Sequence, residues 1–148
     1  MNMNEQLHTA ADRLWEAARS GRATEPLGDL ITSADEAYAV QEINTVRSIE
    51  AGRRVVGRKI GLTSLTVQRQ LGVDRPDYGM LFADMAVDDG AEIDAGRLIQ
   101  PRVEAEIAFV LGADLPHPDT TAGELMRAVD YVVAAIEVVD SRIADWKI

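Results

Sequence analysis

The 148-residue chain has no cysteine, two histidines, and 15 lysines and arginines against 25 acidic residues. Each shortage removes a class of chemistry. Without cysteine there are no disulfides, no thiolate ligands and no cysteine nucleophile, which suits a cytoplasmic protein. The formal net charge of −10 argues against nucleic acid or an anionic membrane as a partner, since either needs a basic surface. An anionic substrate is still allowed, because a bound divalent metal inverts the local field. No apolar run is long enough to span a bilayer. Residues 1–5 lack the basic and apolar regions of a secretory signal. Internal repeats and low-complexity tracts are missing. So are a Ser/His/Asp triad, a phosphate loop, a CxxC pair and a dinucleotide fingerprint. What is present is ordinary for a globular domain with a real core: 47% hydrophobic and 27% charged residues.

Against that background one stretch stands out. Residues 100–111, Gln-Pro-Arg-Val-Glu-Ala-Glu-Ile-Ala-Phe-Val-Leu, read as a strand with Glu104 and Glu106 at alternate positions. Alternate side chains share a face, so the two carboxylates lie side by side, ~6.6 Å apart along the strand. Val103, Ala105, Ile107, Phe109 and Leu111 take the other face. A second stretch, residues 131–139, is an apolar run broken only by Glu137. Such a run reads as a strand buried on both faces. A carboxylate there must be protonated, paired or metal-bound. Three carboxylates on two strands suggest an all-oxygen site of the kind that hard divalent cations prefer. The plainer readings remain open: a solvated face for Glu104 and Glu106, and for Glu137 an ion pair to Arg102 or Arg142.

The rest of the chain supplies scaffolding. Residues 4–19 have the spacing of an amphipathic helix, with Leu7, Ala10, Ala11, Leu14, Ala17 and Ala18 on its apolar face and Gly21 ending it. Ser33 and Glu36 read as a capping box. They open a second helix that presents Val40, Ile43, Val46 and Ile49 and stops at Gly52. Residues 53–62 read as a strand with Lys59 between Gly57 and Gly61. Glycine in a strand often marks close approach of a ligand or another backbone. Lys59 is therefore a candidate for moving protons, with an exposed strand lysine as the alternative. A short helix from Thr63–Ser64 to Gly72 and turn chemistry at residues 75–79 come next, with Asp77 available to stabilise that turn. Met80 to Ala83 resume an apolar strand, and residues 88–90 turn. His117, between Pro116 and Pro118, reads as a surface residue. Thr121 and Glu124 form a capping box ahead of a last helix.

Five stretches occur together in order: Gly57-Arg-Lys-Ile-Gly-Leu-Thr-Ser64, Gln70-Leu-Gly-Val73, Pro76-Asp-Tyr-Gly-Met-Leu-Phe-Ala-Asp-Met85, Gln100-Pro-Arg-Val-Glu-Ala-Glu-Ile-Ala108 and Ala135-Ile-Glu-Val-Val-Asp-Ser-Arg-Ile143. The set resembles the 2-keto-4-pentenoate (2-hydroxypenta-2,4-dienoate) hydratases of the fumarylacetoacetase-like superfamily. The resemblance covers nearly the whole chain from Gly52 onward, and more loosely the two N-terminal helices.

The resemblance implies an α+β fold, with an N-terminal helical segment over residues 1–52. Residues 53–148 would form the first part of a mixed, β-rich barrel or roll core. Family members continue well past Ile148, so the chain is either a fragment of a longer protein or one in which the remaining residues were never present, with poor activity or dependence on another chain expected. It implies Mg²⁺ or Mn²⁺ on Glu104, Glu106 and Glu137, with Lys59 and Asp77 as catalytic residues. The implied reaction adds water to 2-hydroxypenta-2,4-dienoate and gives 4-hydroxy-2-oxopentanoate, a step of meta-cleavage aromatic degradation. A homo-oligomer is implied, with possible association with other enzymes of that route. The alternatives are a 2-oxo-3-hexenedioate (4-oxalocrotonate) decarboxylase of the same superfamily and a non-catalytic structural subunit.

Overall fold

The structure is a computed structural model that describes residues 2–147. It is α+β. The described residues form four α-helices and two separate two-stranded sheets, both antiparallel. Contacts divide the chain into two compact units, residues 1–98 with 142–148, and residues 99–141.

The first unit opens with α1 (Met3–Ser20). Its start is fixed by a capping box that the sequence reading overlooked: the Asn2 side chain accepts from the Glu5 amide, and the Glu5 carboxylate accepts from the Asn2 amide. Together they satisfy two of the amides left unpaired at a helix start. Gly21, at φ 67°, ends the helix in the left-handed region. The expected apolar face is buried or half-buried except at Ala18, which is exposed. Ala10 and Ala11 are fully buried and pack with Leu27, Leu30 and Val40, flanked by Leu7, Leu14, Ile31, Ile43 and Ile143.

Helix α2 (Ala34–Glu50) follows a modified cap. Ser33 accepts from the Glu36 amide as expected. The Glu36 carboxylate, however, takes the amide and hydroxyl of Thr32 at 2.7 and 3.0 Å. The reciprocal half of the box is thus displaced one residue upstream. The inward face of α2 also departs from expectation. Val40 is buried, whereas Val46 and Ile49 are 42% and 50% exposed. Thr45 and Ser48 are buried in their place, their hydroxyls returned to the Gln41 and Asn44 carbonyls. Asn44 donates across to the Ala11 carbonyl.

Strands β1 (Val55–Gly61) and β2 (Asp77–Phe82) form a hairpin-like ladder around α3 (Leu65–Leu71). Strand β2 starts inside the turn expected at residues 75–79, because Asp77 and Tyr78 already pair with Gly61 and Ile60. The far end is tied by Arg53, whose guanidinium lies 4.1 Å over the buried Phe82 ring and grips both Asp84 carboxylate oxygens at 3.0 Å.

The second unit is β3 (Arg102–Leu111), α4 (Ala122–Ala128) and β4 (Val129–Val139). Helix α4 carries the expected Thr121–Glu124 capping box. Strand β4 is not buried on both faces, contrary to the reading of its apolar run. Val103, Ile107 and Ile136 share one face of the two-stranded sheet and are 70, 65 and 73% exposed. A hairpin has no second layer of its own. Apolar sequence alone does not distinguish a strand covered on both sides from one left open.

Candidate metal centre and proton-transfer pair

Register decides what β3 and β4 can do. Directly opposed residues in an antiparallel ladder lie on the same face. Glu104 pairs with Glu137, and Glu106 pairs with Ala135. The three glutamates therefore share one face, together with Arg102, Ala108, Val110, Val133 and Val139. One carboxylate oxygen from each of Glu104, Glu106 and Glu137 lies within 4.8 Å of the others. Glu104 and Glu106 are exposed and Glu137 is half-buried.

The donor set is all oxygen, negative and convergent, and it suits a hard divalent cation better than a soft one. Three formal negative charges this close repel one another, and a shared cation turns that repulsion into coordination. These residues fit the metal that the sequence resemblance implies.

The register is anchored at the β3 entrance by Asp140, which sequence reasoning missed. Its carboxylate accepts from the backbone amides of Ile99 and Gln100 at 3.0 and 2.6 Å, and the Gln100 side-chain Nε2 donates to the carbonyl of the buried Ser141. These contacts join the chain just before Glu104 to the chain just after Glu137. The partners lie about forty residues apart, so no local pattern could have signalled them.

In the first unit the structure brings Lys59 and Asp77 together. Lys59 pairs with Gly79 and Asp77 with Gly61, which puts both side chains on one face of β1–β2. A Cβ placed on Gly79 would lie 3.4 Å from Lys59 Cγ, so the lysine stem runs over that bare backbone. A Cβ on Gly61 would lie 3.5 Å from Lys59 Nζ and would collide with Asp77 Oδ1. The ammonium and the carboxylate thus share the space above Gly61. Glycine is needed there because a side chain would displace both. Lys59 is half-buried and Asp77 exposed.

The chain leaves this corner through Leu62, at φ 55°. Such a conformation is uncommon for a residue with a Cβ. The buried Gln68 side chain donates to the Leu62 carbonyl and holds it.

His117 is exposed, and its carbonyl accepts from the Thr120 hydroxyl. It takes no part in either constellation. No helix among the described residues is long and apolar enough to cross a membrane.

Comparison with known proteins gives these two constellations a setting. No family model matches the chain. The chain is 60% identical over 141 residues to a TodF product hydratase of Pseudomonas putida, covering 94% of this chain and 53% of that protein. It is equally identical over 141 residues to a 2-keto-4-pentenoate hydratase of Dechloromonas aromatica, covering 94% of this chain and 54% of the relative. Among solved structures it superposes at a TM-score of 0.90 on a 4-oxalocrotonate decarboxylase from Pseudomonas putida G7, complexed with magnesium and adipate. That match is 34% identical and covers 99% of this chain and 57% of the other. The chain spans about half the length of the relatives it matches.

Proposed function

This chain is a relative of the 2-keto-4-pentenoate hydratases, and from that premise we propose that it carries the metal-binding part of a hydro-lyase acting on a small 2-hydroxydienoate. The observation that carries the reading is the convergence of Glu104, Glu106 and Glu137 on one sheet face, within 4.8 Å. These are three oxygen ligands with the hardness that Mg²⁺ or Mn²⁺ requires.

When bound, the cation supplies Lewis acidity and a template for a chelating 2-oxo acid. The chain's own residues do the rest. The glutamates fix the position of the metal. Lys59 and Asp77, an ammonium and a carboxylate sharing one space, hold and move protons. In the proposed reaction the substrate's 2-hydroxyl loses its proton, and the terminal carbon C5 gains one. This gives the 2-oxo-3-enoate. Water then adds, hydroxyl to C4 and hydrogen to C3, and 4-hydroxy-2-oxopentanoate results. The same reading carries a cytoplasmic homo-oligomer.

The decarboxylase is the second reading, favoured by the 0.90 TM-score to a 4-oxalocrotonate decarboxylase. Identity of 60% to the hydratases against 34% to that enzyme supports hydration. An ultraviolet assay tests the choice. The expected result is Mg²⁺-dependent loss of dienol absorbance from 2-hydroxypenta-2,4-dienoate, with 4-hydroxy-2-oxopentanoate as product. Release of CO₂ from 2-oxo-3-hexenedioate, with the dienoate untouched, would replace hydration by decarboxylation.

A further inference from the structure

Tyr78 lies between the two β2 residues that face the Lys59 corner, Asp77 opposite Gly61 and Gly79 opposite Lys59. Wherever the Tyr78 backbone goes, Asp77 and the floor under Lys59 go with it. Strand β2 pairs only with β1 among the described residues, so its other edge has no strand to hold it. Helix α2 does so instead. Gln41 Nε2 donates to the Tyr78 carbonyl at 3.0 Å, and the Tyr78 amide donates to the Tyr38 hydroxyl at 3.3 Å. The Tyr38 and Tyr78 rings stack, with centroids 4.7 Å apart and planes 14° from parallel. Tyr38 and Gln41 are three residues apart, neighbours on one helix face.

Both backbone groups of Tyr78 and its ring are thus taken by a single face of α2. The helix is itself anchored to α1 through Val40 and through Asn44 donating to the Ala11 carbonyl.

We propose that Tyr38 and Gln41 are positioning residues, which clamp Tyr78 so that the Asp77 carboxylate and the Lys59 ammonium meet above Gly61. Hydrogen bonds this exposed contribute little to global stability. Their geometric effect is larger, because ring and edge contacts fix both the translation and the tilt of β2 at one residue. The assignment of a proton-moving role to Lys59 and Asp77 rests on the proposed hydratase reading. The clamp itself does not.

The test uses the full chain and the variants Tyr38→Phe, which keeps the ring stack, Gln41→Met, and the pair combined. Lys59 and Lys147 are the chain's lysines, so ¹³Cε resonances after lysine labelling report Lys59 beside an internal reference. The expected result is a displaced Lys59 resonance in the double variant and a smaller displacement in each single one. The Lys147 resonance and the melting temperature should be unchanged. An unmoved Lys59 resonance in the double variant overturns the clamp.

Turnover of 2-hydroxypenta-2,4-dienoate adds the functional half. The double variant should lose about tenfold in kcat with little change in KM, since misplaced groups cost rate before affinity. Mg²⁺ affinity by calorimetry should be unaffected. A displaced Lys59 upholds the clamp whether or not the parent chain turns over the dienoate, and release of CO₂ from 2-oxo-3-hexenedioate by the parent chain, with the dienoate untouched, overturns the hydratase reading. A displaced Lys59 with parental kcat overturns the positioning role.

Discussion

Glu104 and Glu137 are direct cross-strand partners in the β3–β4 ladder, and Glu106 lies two residues along on the same face. Like charges directly opposed are destabilising in a sheet, so this pairing costs stability unless something bridges it. Replacing Glu137 by Gln removes one charged oxygen donor from that face and keeps the size of the side chain. In EDTA the variant should melt close to the parent temperature. Its Mg²⁺ affinity should fall by more than about a hundredfold, beyond the loss caused by removing an outer-shell partner. Calorimetric titration and thermal melting check both halves. Parental Mg²⁺ affinity in Glu137→Gln would remove the residue from the ligand set.

Gly61→Ala tests the proposed proton-transfer role of Lys59 and Asp77 from the backbone side. The added methyl meets Asp77 Oδ1 and lies 3.5 Å from Lys59 Nζ. Both side chains must move, and proton transfer tolerates little misplacement. The expected outcome is a fall in hydratase kcat of about a hundredfold, with Mg²⁺ affinity retained. Equal losses of kcat and Mg²⁺ binding would mean a general collapse of the fold rather than a local collision.

Much of this was legible from residues alone, and the failures share a cause. The spacing of Leu7, Ala10, Ala11 and Leu14 identifies the buried face of α1 because one helix period determines it. Glu104 and Glu106 are placed on one face by strand alternation. Glu137 joins them only through inter-strand register, which no single strand encodes. The exposure of Val103 and Ile136 was not foreseen, because burial depends on a covering layer rather than on the strand. Asp140, Tyr38 and Gln41 escaped for a related reason. Their partners, Ile99, Gln100 and Tyr78, are distant in sequence, and they bond to backbone groups that every residue possesses.

Asp140→Ala should loosen the three-glutamate cluster without touching it. The substitution leaves the Ile99 and Gln100 amides without their carboxylate. Urea unfolding should show a loss of about 1–3 kcal/mol, the cost of stranding half-buried donors. Mg²⁺ affinity should fall as well, because the β3 entrance next to Glu104 gains freedom. Asp140→Asn keeps an acceptor oxygen and should recover part of both. Unchanged stability and Mg²⁺ affinity in the Ala variant would show that the ladder holds its register unaided.

Acid should destabilise the fold through the carboxylates that bind the chain to itself. The Thr32 amide and hydroxyl hold Glu36 below the usual glutamate range, and the Thr121 amide and hydroxyl do the same for Glu124. The hydrogen bonds from Arg53 lower Asp84 in the same way. A carboxylate whose pKa is lower in the folded state adds stability that is complete above its unfolded pKa. That stability is lost as pH falls through the folded value. Urea midpoints should therefore be level near neutrality and drop as pH falls below about 5. Glu36→Gln and Glu124→Gln should each begin from a lower midpoint at neutral pH and fall less on acidification, because the variant has no proton to take up at that site. A variant that loses stability on acidification as steeply as the parent would show that its cap carboxylate is not part of the acid response.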